Sequence, residues 1–185
     1  MMTLPNILTL LRMALIPCFV TVFYLPFRRA HLLAAALFAL AAITDWLDGY
    51  LARRLNQTSK LGAFLDPVAD KLMVVVVLVV LLEARHSLWL AAPVAVIIGR
   101  EIAVSALREW MAEIGSRRKV AVSMLGKIKT TLQMIALTIM VTGVGPDVPS
   151  YIYILGMVML YAAAIMTLWS MCAYLALAWP DLRES

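Results

Sequence analysis

Residues 30–54 read Ala30-His-Leu-Leu-Ala-Ala-Ala-Leu-Phe-Ala-Leu-Ala-Ala-Ile-Thr-Asp45-Trp-Leu-Asp48-Gly-Tyr-Leu-Ala-Arg53-Arg54. From Ala30 to Thr44 there is no Asp, Glu, Lys or Arg; then Asp45, Asp48, Arg53 and Arg54 arrive together. The next segment reverses the order, with Asp66 and Asp70 ahead of an uninterrupted Leu72–Leu82. Further on, a stretch without Asp, Glu, Lys or Arg from Ser87 to Gly99 meets Arg100, Glu101, Arg108 and Glu109, and Lys127 and Lys129 precede a clean run from Thr130. Crossing the hydrocarbon takes about 20 residues, and several of these clean runs are shorter. An ionised group facing lipid at mid-bilayer costs at least ~2.5–3.5 kcal/mol. The charged ends must therefore face one another, or water, at one side of a helical bundle.

Composition agrees. Of 185 residues, 64% are apolar and 15% charged, with a mean hydropathy of +0.92. Soluble domains run at about 45–50% apolar and roughly 25% charged. The bilayer is the expected solvent, and backbone in lipid must satisfy its own hydrogen bonds as helices or a closed barrel. The apolar runs are too long and unbroken for alternating barrel strands. The expectation is an all-α integral membrane protein, a six-transmembrane-helix bundle forming one domain over residues 1–185. Its spans are Leu4–Phe27, Leu32–Leu55, Leu61–Leu82, Leu88–Ala112, Val120–Gly143 and Tyr151–Trp179. The first has no basic segment before it and reads as retained rather than cleaved. Cys18 and Cys172 lie inside apolar runs and form no metal or redox motif. His31 and His86 sit in connectors and are given no chemistry.

Lys and Arg set the orientation. The second and fourth connectors carry Arg53, Arg54, Lys60, Arg117, Arg118 and Lys119; the odd connectors carry Arg28, Arg29 and Arg85. The even connectors and both termini are expected in the cytoplasm. Trp89, Tyr151, Tyr153 and Trp179 read as interfacial anchors, and the alanines of Ala34–Ala42 permit close helix approach.

Asp45 and Asp48 are three apart and share a helix face; Asp66 and Asp70, four apart, share another. A short connector joins the two helices, so antiparallel neighbours would bring both pairs to one depth. Four carboxylates without cations would repel and take up protons. Carboxylate oxygens suit Mg²⁺ or Mn²⁺, and two such ions about 3.5–4 Å apart would hold both oxygens of a phosphoryl displacement. Gly49, Ala52 and Gly62 remove bulk where a nucleotide diphosphate could approach the backbone. Arg53 could clamp that diphosphate through two parallel hydrogen bonds. Taken singly, each has a plainer explanation. Asp66 before Pro67 could cap a restarted helix, Gly49 and Ala52 could serve helix packing, and Arg53 and Arg54 could be interfacial anchors. Their joint occurrence within 26 residues, Asp45 to Asp70, is poorly explained that way.

These residues fit D-x-x-D-G-x-x-A-R-x8-G-x3-D-x3-D at every fixed position, and on them the chain resembles the CDP-alcohol phosphatidyltransferases. Pro5-Asn-Ile-Leu-Thr9-Leu-Leu-Arg12, Arg100–Glu113 and Val120–Thr131 look like the members of that family that act on glycerol 3-phosphate. The resemblance implies six transmembrane helices, a homodimer in the bacterial inner membrane with its site facing the cytoplasm, and a metal-dependent reaction. That reaction is CDP-diacylglycerol plus sn-glycerol 3-phosphate giving phosphatidylglycerophosphate and CMP. It further implies that Asp45, Asp48 and Asp66 are metal ligands, and that Asp70 is both ligand and general base. Gly49, Arg53 and Ser59, with Asn6 and Thr9, fall where the family binds the CDP part of the lipid.

The acceptor's phosphate needs its own cations, for which Arg100, Arg108, Lys127 and Lys129 are candidates. The competing reading is that they pair with Glu101, Glu109 or Glu113, or touch lipid headgroups. Arg117, Arg118 and Lys119 suit anionic headgroups. The signature handles the shared donor, so inositol phosphate, serine or phosphatidylglycerol stay open as acceptors. Membrane lipids are expected partners and nucleic acid is not. A cation transporter would use intramembrane acids too, but arginines beside these acids oppose cation passage.

Overall fold

The computed structural model describes residues 4–55, 60–113 and 124–184. They form six helices: α1 Leu4–Phe23, α2 Ala30–Leu55, α3 Lys60–Arg85, α4 Leu88–Glu113, α5 Met124–Gly143 and α6 Ser150–Glu184. No strand occurs among the described residues. Each helix falls on one expected span; residues 120–123 of the fifth lie outside the described residues, and described ends that shift have local causes. α1 stops at Phe23 rather than Phe27 because Pro26 disfavours helical geometry in the residue before it. Tyr24–Phe27 instead turn, with the Leu25 amide on the Val22 carbonyl at 3.2 Å. α3 closes on His86, whose φ of 44° is left-handed. The His86 amide donates to the Leu82 carbonyl at 2.9 Å, as helix-ending left-handed residues do. The 35 residues of α6 measure about 50 Å at 1.5 Å per residue.

Residues sort by face differently from those of a protein dissolved in water. The interior holds an apolar core around Phe19, Phe38, Leu78, Ile97 and Leu137, but it also holds Arg12, Lys129, Arg100, Gln133 and Thr167. The outside carries bare apolar bulk, including Ile102, Val158, Ile165 and Trp169. Among the described residues Leu88–Met111 and Ser150–Ala173 are long and apolar enough to cross a membrane, and Ile7–Phe23, Ala30–Asp45 and Ile128–Gly143 are shorter apolar helices. Pro17, Pro67 and Pro93 lie inside helices. Such placements are tolerated in membrane helices, where neighbours re-satisfy the freed backbone groups.

Small residues set the closest approaches. A Cβ on Gly143 would stand 2.9 Å from the Tyr153 Cα, and one on Gly156 would stand 3.1 Å from the Ala136 carbonyl oxygen. α5 and α6 therefore pack backbone to backbone. Ala34, Ala35 and Ala41 are buried as the alanine-rich face of α2 led us to expect.

The three described connectors, residues 24–29, 86–87 and 144–149, lie at one end of the bundle. Arg28 in the first pairs with Asp147 in the last at 2.5 Å, and Arg85 at the end of α3 donates to the Gly143 carbonyl at 2.6 Å. The acidic segments are at the opposite end. Among the described residues, α2 and α3 touch one another less than any other packed pair of helices. The short connector alone suggested close neighbours. Instead α1 packs on both of them, and so does α5. Space is left between α2 and α5, and that space holds the candidate site.

Candidate active site

A cavity of about 810 Å³ opens between α2 and α5. Asp45 from α2 and Asp70 from α3 line it together with Thr130 and Thr131 of α5. The rest of its wall is largely apolar, with Ala39, Ala42, Ile43, Met134, Ile135 and Ile139. The two acids that span the signature thus reach one space. Helical register puts Asp48 three residues after Asp45 and Asp66 four before Asp70, on the corresponding faces. The side chains of Asp48 and Asp66 lie outside the described set, and among the described side chains no group of three or more potential metal ligands gathers.

The plainer explanation of Asp66 does not survive. α3 begins at Lys60 and runs through Pro67 to Arg85. No helix restarts there for Asp66 to cap.

Asp45 has a partner that sequence reading did not assign. The Arg12 guanidinium of α1 meets its Oδ1 at 2.6 Å. The two ends of the pair differ in access: the arginine side chain is 2% exposed and the aspartate 41%. Arg12 therefore approaches from within the bundle while Asp45 stays open to the cavity. Thr9, three residues earlier on α1, is also fully buried. The signal available in sequence was a single cation inside the otherwise apolar run Ile7–Phe23; naming its partner required the packing of α1 on α2.

Deeper between α4, α5 and α6 lies a second polar cluster. Glu101 Oε1 accepts from Arg100 Nη1 at 2.6 Å and sits 3.6 Å from Lys129 Nζ. Arg100 Nη2 reaches the Ser170 hydroxyl oxygen at 3.4 Å. Lys129 is 1% exposed and Arg100 8%, so both cations are interior ones. Pairing with Glu101 is thus realised for these two candidates. Together the three groups carry one net positive charge. Lys71, next to Asp70, donates to the Ser105 hydroxyl, and Ser105 donates to the Glu101 carbonyl at 2.5 Å. Neither Lys71 nor Ser105 was singled out from sequence; both link α3 to α4 beside the acid.

Of the remaining candidates, Gly62 is buried in the first turn of α3 and Gly49 lies in the last turns of α2. Asn6, Arg53, Arg108 and Lys127 are placed on helices, with side chains outside the described set, and Ser59 lies outside the described residues.

The donors at the cavity are carboxylates, and its described lining has no histidine or cysteine. Oxygen-only donors of this kind fit hard divalent cations such as Mg²⁺ or Mn²⁺ rather than zinc. The arrangement offers carboxylates where an apolar wall meets a polar end, which suits a molecule with both an anionic head and a hydrocarbon body.

The sequence profile of CDP-alcohol phosphatidyltransferases matches residues 2–169. A CDP-diacylglycerol–glycerol-3-phosphate 3-phosphatidyltransferase of Pectobacterium atrosepticum is 55% identical over 181 residues, covering 98% of this chain and 97% of that one. The protein of the same description from Sodalis glossinidius is 54% identical over 183 residues, covering 99% and 98%. The one from Salmonella typhimurium is 52% identical over 181 residues, covering 98% and 97%.

Proposed function

The chain belongs to the CDP-alcohol phosphatidyltransferase family, and from that premise we infer that it transfers the phosphatidyl group of CDP-diacylglycerol to sn-glycerol 3-phosphate, releasing CMP. The product is phosphatidylglycerophosphate, a precursor in phospholipid synthesis. The observation that carries this reading is the cavity in which Asp45 and Asp70 meet an apolar wall. Near-full-length identity to relatives bearing that activity in their names supports the donor and the acceptor.

Asp70 is the base. It takes the proton from the primary hydroxyl of glycerol 3-phosphate, and that oxygen attacks the phosphorus carrying diacylglycerol. The bond from this phosphorus to the CMP oxygen breaks, and CMP departs with the electron pair. Asp45, Asp48, Asp66 and Asp70 would hold Mg²⁺ or Mn²⁺, two ions per site. When bound, these ions neutralise the diphosphate and the charge that develops on CMP. Arg53, with Gly49, Ser59, Gly62, Asn6 and Thr9, binds the cytidine diphosphate part. The apolar wall, Ala39 to Ile43 on α2 facing Met134 to Ile139 on α5, accommodates the glyceride body of the donor. Arg100 and Lys129 supply net positive charge for the acceptor's phosphate, with Arg108 and Lys127 as further candidates. Positioning and charge complementarity provide most of the acceleration.

All six helices cross the inner membrane, with both termini and the carboxylates on the cytoplasmic side, and the protein works as a homodimer. Supporting the topology are the six-to-three excess of Lys and Arg on the even connectors and the apolar outer surface. Family resemblance alone supports the dimer. The decisive experiment supplies purified protein with labelled CDP-diacylglycerol, Mg²⁺ and one acceptor at a time. Glycerol 3-phosphate should give phosphatidylglycerophosphate and CMP. Turnover with inositol phosphate, serine or phosphatidylglycerol, and none with glycerol 3-phosphate, would refute the acceptor.

A further inference from the structure

The geometry points to Arg12 as a positioning residue of the reaction, one that fixes the Asp45 carboxylate from behind and so gives α1 a part in the metal site. This inference rests on the proposed role of Asp45 as a ligand.

Arg12 sits on a helix whose other side chains from Ile7 to Phe23 carry no charge. A guanidinium buried at that depth is stable only with a charged partner and further satisfied donors. The partner is Asp45, in an ion pair with 2.6 Å between Nη1 and Oδ1. Were this a strut for the bundle, both ends would be expected inside. Instead the arginine is 2% exposed and the carboxylate 41%, and Asp45 lines the 810 Å³ cavity. The torsion that turns a carboxylate about its last bond is soft, with no sharp staggered wells. Claiming one oxygen from the protein side sets that torsion and leaves the group presented to the cavity. This is how outer partners orient metal-binding carboxylates, and their loss typically lowers metal affinity or activity about 10–100-fold.

The test measures Mn²⁺ binding by full-length protein in detergent, counting free Mn²⁺ by its paramagnetic resonance signal, with no lipid substrate present. Arg12→Met should weaken Mn²⁺ binding about 10–100-fold. Arg12→Lys, which keeps the positive charge facing Asp45, should regain part of it. A strut would show lower thermal stability of the metal-free variant with unchanged Mn²⁺ affinity, and that result overturns the inference. Tighter Mn²⁺ binding by Arg12→Met, as charge repulsion alone would give, overturns it too. If Arg12→Met does not fold, Arg12→Gln and Arg12→Lys carry the same comparison. Wild-type protein that binds no Mn²⁺ removes the metal site and this role together. Binding abolished by Asp45→Ala but untouched by Arg12→Met removes only the role of Arg12.

Discussion

Asp70 and Asp45 reach one cavity from different helices, so each can be tested singly. Asp70→Asn keeps volume and removes the carboxylate proposed as proton acceptor. CMP release should fall by about 10²–10⁴-fold, the usual contribution of a general base, while the protein still folds. Wild-type turnover in this variant would refute the assignment. The meeting of Asp45 and Asp70 was legible in sequence because both acids were placed near one end of two helices joined by a short connector. Arg12 was not legible in this way. It stood in the quoted amino-terminal stretch, yet the residue it pairs with lies 33 positions away on another helix, and only tertiary packing selects it. Arg100 and Lys129 illustrate the same limit from the other direction. Sequence offered both a phosphate pocket and a salt bridge, and the structure shows both cations on Glu101.

Helices were legible because each expected span is longer than most soluble helices and ends near charge, Gly or Pro. Their ends followed local rules, as at Pro26, but the extent of their packing did not follow from connector length, since α2 and α3 touch only lightly among the described residues while α1 and α5 each pack on both. The α5–α6 pairing makes a direct prediction. In Gly143→Ala the new methyl meets the Tyr153 Cα at 2.9 Å, where backbone cannot yield cheaply. Thermal unfolding in detergent should show a loss of about 1–3 kcal/mol. Gly99→Ala, where a Cβ meets nothing within 4 Å, should show no loss. At the opposite end, the hydrogen bond from Arg28 holds Asp147 below its ordinary 3.8, chiefly through that bond and then through charge. Whatever stability this exposed pair adds is present above 3.8 and disappears as pH falls through the lowered value. An NMR titration of Asp147 should show the lowered value in wild type and a return toward 3.8 in Arg28→Ala; an unchanged titration would contradict the pairing.

At the scale of the molecule, an apolar outer surface around a core that also holds cations is the property that the composition announces and the structure realises. It predicts a membrane topology that can be read chemically. In a background with Cys18 and Cys172 replaced, a membrane-impermeant thiol reagent applied to intact cells should label Asp147→Cys and leave Lys119→Cys unlabelled; the reverse pattern would invert the orientation. A cavity that is apolar for most of its wall and also lined by Asp45 and Asp70 would join that topology to the proposed chemistry, letting a lipid stay in the membrane while its diphosphate reaches carboxylates. The most direct test is CMP release by purified protein given CDP-diacylglycerol, glycerol 3-phosphate and Mg²⁺, wild type against Asp45→Ala. The account predicts steady turnover in the first and essentially none in the second, both folded. Equal turnover in the two would contradict it.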